Sequence, residues 1–245
     1  MSITNLEEFC REFHLVLSEE SEIFEIINRG RLLLSQLVDK SDWFRDTLSS
    51  LVLNEEFLNA QWLSIDSNEV VLYRSPDRAF SVRAYIWEPN VVYPVHDHGA
   101  WGIVGSLINQ IKERKFKRID DGSVENRAQI EQISEATLSP GGTTFVLPVN
   151  QGIHQMEAIN DQVAITIHVY GKPVRKGYIQ FFDINSGNVQ RVYPPRLYKK
   201  IMAMRALGDI PETWSEEILN KALNISGPDH LLLEGKLALE KLKGY

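Results

Sequence analysis

The stretch Phe80-Ser81-Val82-Arg83-Ala84-Tyr85-Ile86-Trp87 decides the reading of the fold. Apolar Phe80, Val82, Ala84 and Ile86 alternate with Ser81, Arg83, Tyr85 and Trp87, the period of two that a half-buried strand requires. The period begins near Val70 and continues downstream. Gly102 to Phe116, Thr143 to Leu147, Ala164 to Tyr170, Tyr178 to Ile184 and Val189 to Val192 all suit strands, and Asp120-Asp121-Gly122 and Asn185-Ser186-Gly187-Asn188 supply turns. Many short strands with turns between them predict a mainly β sandwich or barrel.

On either side the period is helical. Thr4 and Glu7 read as a capping box before Leu6, Phe9, Phe13, Val16 and Leu17. A second helix follows on Ile23, Ile26, Ile27, Leu33, Leu34, Leu37 and Val38, with Gly30 weakening its middle. After Pro194-Pro195, Ile201, Met202, Leu207 and the leucines at 231, 232, 233, 237, 239 and 242 predict further helices. No repeat or linker divides the chain. One domain is therefore expected over residues 1–245: N-terminal helices at 1–68, a β core at 69–193, and a C-terminal helical tail at 194–245. That tail would pack on the core or on a second subunit, as in a homodimer.

With 245 residues, 43% hydrophobic and 24% charged, the chain has the composition of an ordinary globular protein. A net charge of -7 gives no general attraction for phosphate backbones, so nucleic acid is not an expected partner. The basic run Lys112 to Arg118, interrupted by Glu113 and Phe116, reads as a solvated strand face. No stretch of about 18 apolar residues occurs, and Glu7, Glu8, Glu19 and Glu20 mark the first twenty residues; no membrane span, no signal peptide and a cytoplasmic location are expected. Cys10 is the single cysteine, so metal chemistry must rest on histidine and oxygen.

Four of six histidines lie in the strand-rich middle. In Pro94-Val95-His96-Asp97-His98-Gly99, two imidazoles two residues apart project to one face of an extended backbone, with Asp97 pointing away. Such a pair also occurs as ordinary surface or core residues. Some fifty residues later, Gly142-Thr143-Thr144-Phe145-Val146-Leu147-Pro148 leads through Gly152 to His154, a third imidazole on another strand. Three neutral nitrogens can hold a transition metal and leave positions open for substrate. Ala164-Ile165-Thr166-Ile167-His168-Val169-Tyr170 then places Thr166, His168 and Tyr170 on one face of a strand. Either they form a buried hydrogen-bond network serving stability, or a relay in which Thr166 orients His168 and His168 polarises the Tyr170 hydroxyl.

Pro94-Val95-His96-Asp97-His98-Gly99-Ala100-Trp101-Gly102, Gly152-Ile153-His154-Gln155-Met156-Glu157 and Thr166-Ile167-His168-Val169-Tyr170 together resemble the thiol dioxygenases. These are the cupins that include cysteine dioxygenase and the bacterial 3-mercaptopropionate dioxygenases. The likeness covers roughly Val70 to Pro173. It implies a cupin jelly-roll (double-stranded β-helix) barrel with N- and C-terminal helices, and mononuclear iron(II), Fe(II), on His96, His98 and His154. It also implies addition of O2 to a small thiol, giving a sulfinic acid.

The Ser-His-Tyr set of that family carries over to Thr166, His168 and Tyr170, with threonine in place of the usual serine. The glutamate ligand common among cupins is replaced by the Trp101-Gly102 region, where both residues would border the pocket. Gly102 stands about where animal cysteine dioxygenases carry a crosslinking cysteine, so no Cys-Tyr crosslinked cofactor is expected. An anionic substrate would need a cation. Arg74 is the first choice from its place ahead of the histidine pair, with Arg83 and Arg175 as alternatives. Two other readings remain open: a zinc-dependent hydrolytic or hydratase cupin, and a non-catalytic cupin that binds a small ligand.

Overall fold

The computed structural model describes residues 3–61, 65–225 and 229–244. Helix α1 (Leu6–Glu19) begins one residue later than the capping box implied: Asn5 accepts from the Glu8 amide, and Thr4 donates to the Glu8 carboxylate. Helix α2 (Ile23–Val38) runs unbroken through Gly30, whose missing side chain makes room for Phe13 of α1, since a Cβ there would come within 2.6 Å of that ring. The glycine costs helix propensity of about 1 kcal/mol and permits close packing in exchange. Two short helices, α3 (Arg45–Leu53) and α4 (Glu55–Ala60), were not legible in the sequence; nine and six residues are too few for a clear period.

The strands are β1 (Glu69–Arg74), β2 (Phe80–Trp87), β3 (Val95–His96), β4 (Gly102–Ile108), β5 (Ile111–Arg118), β6 (Ile130–Leu138), β7 (Thr143–Val146), β8 (Ile153–Ala158), β9 (Ala164–Gly171), β10 (Ile179–Phe182) and β11 (Val189–Val192). One sheet runs β1-β2-β9-β4-β7 and the other β11-β10-β3-β8-β5-β6. Numbering the eight strands β2 to β9 in chain order, the first sheet takes the first, eighth, third and sixth, and the second takes the second, seventh, fourth and fifth. That is the strand order of a jelly roll, two interleaved Greek keys. The fold is the expected mainly β cupin-type jelly roll with helices at both ends, its two sheets not closed into one continuous barrel.

The period of two sorts side chains between the faces of the first sheet. Phe80, Val82 and Ala84 of β2, with Ile165, Ile167 and Val169 of β9, join Phe9, Phe13, Ile27, Leu34 and Leu37 of α1 and α2 in one buried cluster. Tyr85 and Trp87 face the other way, clustering with Val104, Ile111 and Met156 between the sheets. Register carries the polar set with them: Ser81 stands opposite Tyr170, Arg83 opposite His168 and Tyr85 opposite Thr166.

The segment read as one strand from Gly102 to Phe116 is two strands, β4 and β5, that belong to different sheets; the chain crosses between them at Asn109, whose φ of 56° is a left-handed conformation that asparagine tolerates. Strand β6, nine residues of mostly exposed sequence, was missed because an edge strand exposed on both faces has no alternation to show.

The chain resolves into two compact units, Met1–Arg175 with Ile179–Arg191, and Lys176–Tyr178 with Val192–Tyr245. The second contains α5 (Pro195–Gly208), α6 (Thr213–Leu223) and α7 (Asp229–Lys243), packed on Tyr193, Ile201, Met204, Leu219, Leu231 and Leu239. Among the described residues no helix is long and apolar enough to cross a membrane.

Candidate metal centre

His96 ends β3, His98 follows it two residues on, and His154 lies on β8 directly opposite His96 in the ladder. All three turn inward between the sheets. His96 Nε2 is 3.1 Å from His98 Nε2, which is 3.0 Å from His154 Nε2. The far nitrogens are tied down: His96 Nδ1 donates to the Pro94 carbonyl at 3.0 Å and His154 Nδ1 to Glu113 Oε1 at 2.8 Å. A neutral imidazole with its proton on Nδ1 presents a bare lone pair at Nε2. Lone pairs about 3 Å apart repel unless a cation sits among them. The trio can therefore hold a metal ion.

The spacing also fits. With metal–nitrogen bonds of about 2.1 Å, two imidazoles at right angles stand about 3.0 Å apart, and at the tetrahedral angle about 3.4 Å. Burial, together with neighbouring imidazoles, holds His96 and His98 well below the ordinary histidine range, so both stay neutral and able to bind.

Glu113 was missed in the sequence, where it looked like a break in a solvated basic strand. It is 2% exposed and also accepts from Thr144 Oγ1 at 2.7 Å, with Lys115 Nζ 3.7 Å away. Burial pushes its pKa up, but the hydrogen bond and charge of His154, then Lys115 and Thr144, outweigh burial and hold it below the ordinary carboxylate range. A buried carboxylate on the far nitrogen fixes the tautomer and orientation of a ligating histidine. The signal available in the sequence was a lone acid at the period-two positions that β5 turns inward.

Thr166, His168 and Tyr170 are brought together on β9. Trp87 Nε1, which can only donate, bonds Thr166 Oγ1 at 2.8 Å. The threonine proton then goes to His168 Nε2 at 2.8 Å, which puts the ring proton on Nδ1, and Nδ1 donates to the Tyr170 oxygen at 2.9 Å. The Tyr170 proton is left to point at the trio, where His98 Nε2 is 3.5 Å away. Burial raises the Tyr170 pKa well above its usual value and lowers that of His168, so the phenol is protonated and the ring neutral. Gly102, opposite Tyr170 in the ladder, lies against this ring: a Cβ there would be 2.8 Å from two ring carbons.

Other expected site residues fall elsewhere. Trp101 packs in the helix-side cluster, with Phe13 at 6.3 Å between ring centroids, because it precedes Gly102 and so faces the opposite way. Arg74, the first choice for a substrate cation, ends edge strand β1 exposed to water. Arg175 makes two hydrogen bonds to the buried Asp97 carboxylate, at 2.7 and 2.5 Å, which keeps Asp97 turned away from the trio as expected. The cation beside the site is Arg83, whose guanidinium lies 5.5 Å from the Tyr170 ring centroid and donates to Glu69 Oε2 at 2.9 Å. Asp66 accepts from the Tyr93 hydroxyl, and burial lifts its pKa to about 6.

No family model matches the sequence. Among solved structures the chain is similar to a cupin 2 conserved barrel domain protein from Rhodopseudomonas palustris, at 13% identity over 48% of this chain and 67% of that one, with a TM-score of 0.34. A cupin 2 conserved barrel domain protein from Salinispora arenicola CNS-205 matches at 17% identity over 44% and 80%, TM-score 0.32. The DMSP lyase DddQ from Ruegeria pomeroyi DSS-3 matches at 14% over 40% of this chain, with a TM-score of 0.30, and the match spans only 41% of the lyase. These likenesses are partial, and the jelly-roll assignment rests on the strand order itself.

Proposed function

We propose that the protein is an iron-dependent thiol dioxygenase converting a small thiol and O2 into the sulfinic acid, with both oxygen atoms ending on sulfur. The observation that carries this reading is the Tyr170 hydroxyl, hydrogen-bonded to His168 and 3.5 Å from His98 Nε2, beside three converging imidazole nitrogens. His96, His98 and His154 are the proposed ligands, and three protein nitrogens would leave further positions on a bound ion open to substrate and oxygen. Iron(II), when bound, would supply a site where a thiolate and oxygen are held side by side.

The protein's own groups do the rest. Tyr170 donates a hydrogen bond towards the open half of the site, His168 and Thr166 hold that phenol in place, and Trp87 sets the direction of the chain of protons. The Tyr85, Trp87 and Met156 cluster closes the space between the sheets and excludes water. A hydrolytic zinc reading needs a base beside the metal-bound water. Glu113 bonds the far nitrogen of His154, which argues against that role.

Oxygen uptake with a panel of thiols, together with elemental analysis and mass spectrometry of products, tests the reading. About one iron per chain and a product heavier by two oxygen atoms are expected. Zinc in place of iron, with no uptake after iron reconstitution, would overturn it.

A further inference from the structure

We propose that Glu69 sets the charge preference of the pocket: by neutralising Arg83 it makes the site take thiols ending in an amine or hydroxyl in preference to mercapto acids, an inference that rests on the thiol dioxygenase reading above. Arg83 points inward from β2 in register with His168. Its guanidinium lies 5.5 Å from the centroid of the Tyr170 ring, whose hydroxyl is 3.5 Å from His98 Nε2. A thiol whose sulfur sits at the imidazoles would lay its far end along that ring, towards Arg83. An arginine alone in this place would select a carboxylate.

It is not alone. Arg83 Nη1 donates to Glu69 Oε2 at 2.9 Å, and the same oxygen accepts from the Tyr85 hydroxyl at 2.9 Å. Glu69 is 5% exposed, so its charge is poorly screened by water. A carboxylate arriving at Arg83 would compete with Glu69 for one guanidinium and be repelled by it at short range. An ammonium would meet the attraction of Glu69 and Asp66 against the repulsion of Arg83, two charges to one, and a hydroxyl would be indifferent. Asp66, close enough to interact electrostatically with both Glu69 and Arg83, adds to the negative side. Neighbouring cations do not restore the balance. Arg175 is bound to Asp97, Lys115 donates to the Phe145 carbonyl, and the exposed charge of Arg74 is screened by salt.

The test is anaerobic calorimetric titration of the iron(II)-loaded full-length protein with cysteamine, 2-mercaptoethanol and 3-mercaptopropionate. Wild-type protein should bind cysteamine at least about tenfold more tightly than 3-mercaptopropionate, and Glu69→Gln should reverse that order while changing 2-mercaptoethanol affinity less than about threefold. If Glu69→Gln does not fold, Arg83→Gln serves: it should weaken 3-mercaptopropionate further and spare cysteamine. A wild-type preference for 3-mercaptopropionate, or an order unmoved by Glu69→Gln, overturns the proposal and leaves the dioxygenase reading intact. Binding of none of the three thiols, with iron at the imidazoles, overturns that reading and this one with it.

Discussion

His168 on the first sheet and His154 on the second are both buried, yet they are prepared for opposite tasks. His154 has one nitrogen tied to Glu113 and the other turned to the converging imidazoles, 3.0 Å from His98 Nε2. His168 has both nitrogens used, one by the Thr166 hydroxyl and one by the Tyr170 hydroxyl. An imidazole whose second nitrogen meets other lone pairs is built for a cation; one threaded between two hydroxyls is built to direct a proton. The comparison teaches that the partner of the second nitrogen, and not burial or residue type, separates a ligand from a relay.

The strongest attempt to break that contrast is His154→Ala, which should reduce bound metal from about one per chain to a trace, read by elemental analysis. Stoichiometric metal in that variant would show that His154 is not a ligand. Tyr170→Phe should leave metal content unchanged and lower turnover about a hundredfold, since the proton aimed at the trio is lost; equal turnover with a lowered melting temperature would mark the β9 network as structural. Glu113→Gln should weaken metal about 10- to 100-fold in a chelator competition, with little change in the fold of the metal-loaded protein.

Acidity offers a finer test on metal-free protein. His96, His98 and His168 have native pKa values held well below the ordinary one, first by burial, so below about pH 6.5 the unfolded chain binds protons that the native state refuses. Stability must then fall with acidification, by about 1.4 kcal/mol per pH unit for each such histidine. His168→Gln should remove one share of that slope in melting curves taken between about pH 7 and pH 5. Smallest of all, Trp87→Phe keeps the ring and removes the N–H. It should cost about 1 kcal/mol in stability and slow turnover only a few-fold, with metal unchanged, because the Thr166 hydroxyl then loses the donor that sets its direction.

Much of the site was legible because strand geometry is local. A spacing of two puts His96 with His98, and Thr166 with His168 and Tyr170, on common faces whatever the rest of the chain does. Glu113 and Glu69 were not legible, because each acquires its role from a residue 41 or 14 positions away, His154 and Arg83, through pairing that no local period encodes. Arg74 and Trp101 were misplaced for related reasons: order along the chain does not tell an edge strand from a central one, nor the helix-side face from the inner face at the residue that leads into a strand.

The sequence by itself determined the strands of β2 and β9, the helices at both ends, the histidine ligand candidates and the polar face of the relay, since each follows from alternation or periodicity within a short segment. Only the tertiary structure decided which cation stands beside Tyr170, which carboxylate steadies His154 and which indole sets the direction of the proton chain. Those choices depend on side chains from different strands meeting in space at hydrogen-bond distance, and strand register and sheet order, which bring them there, are products of long-range pairing.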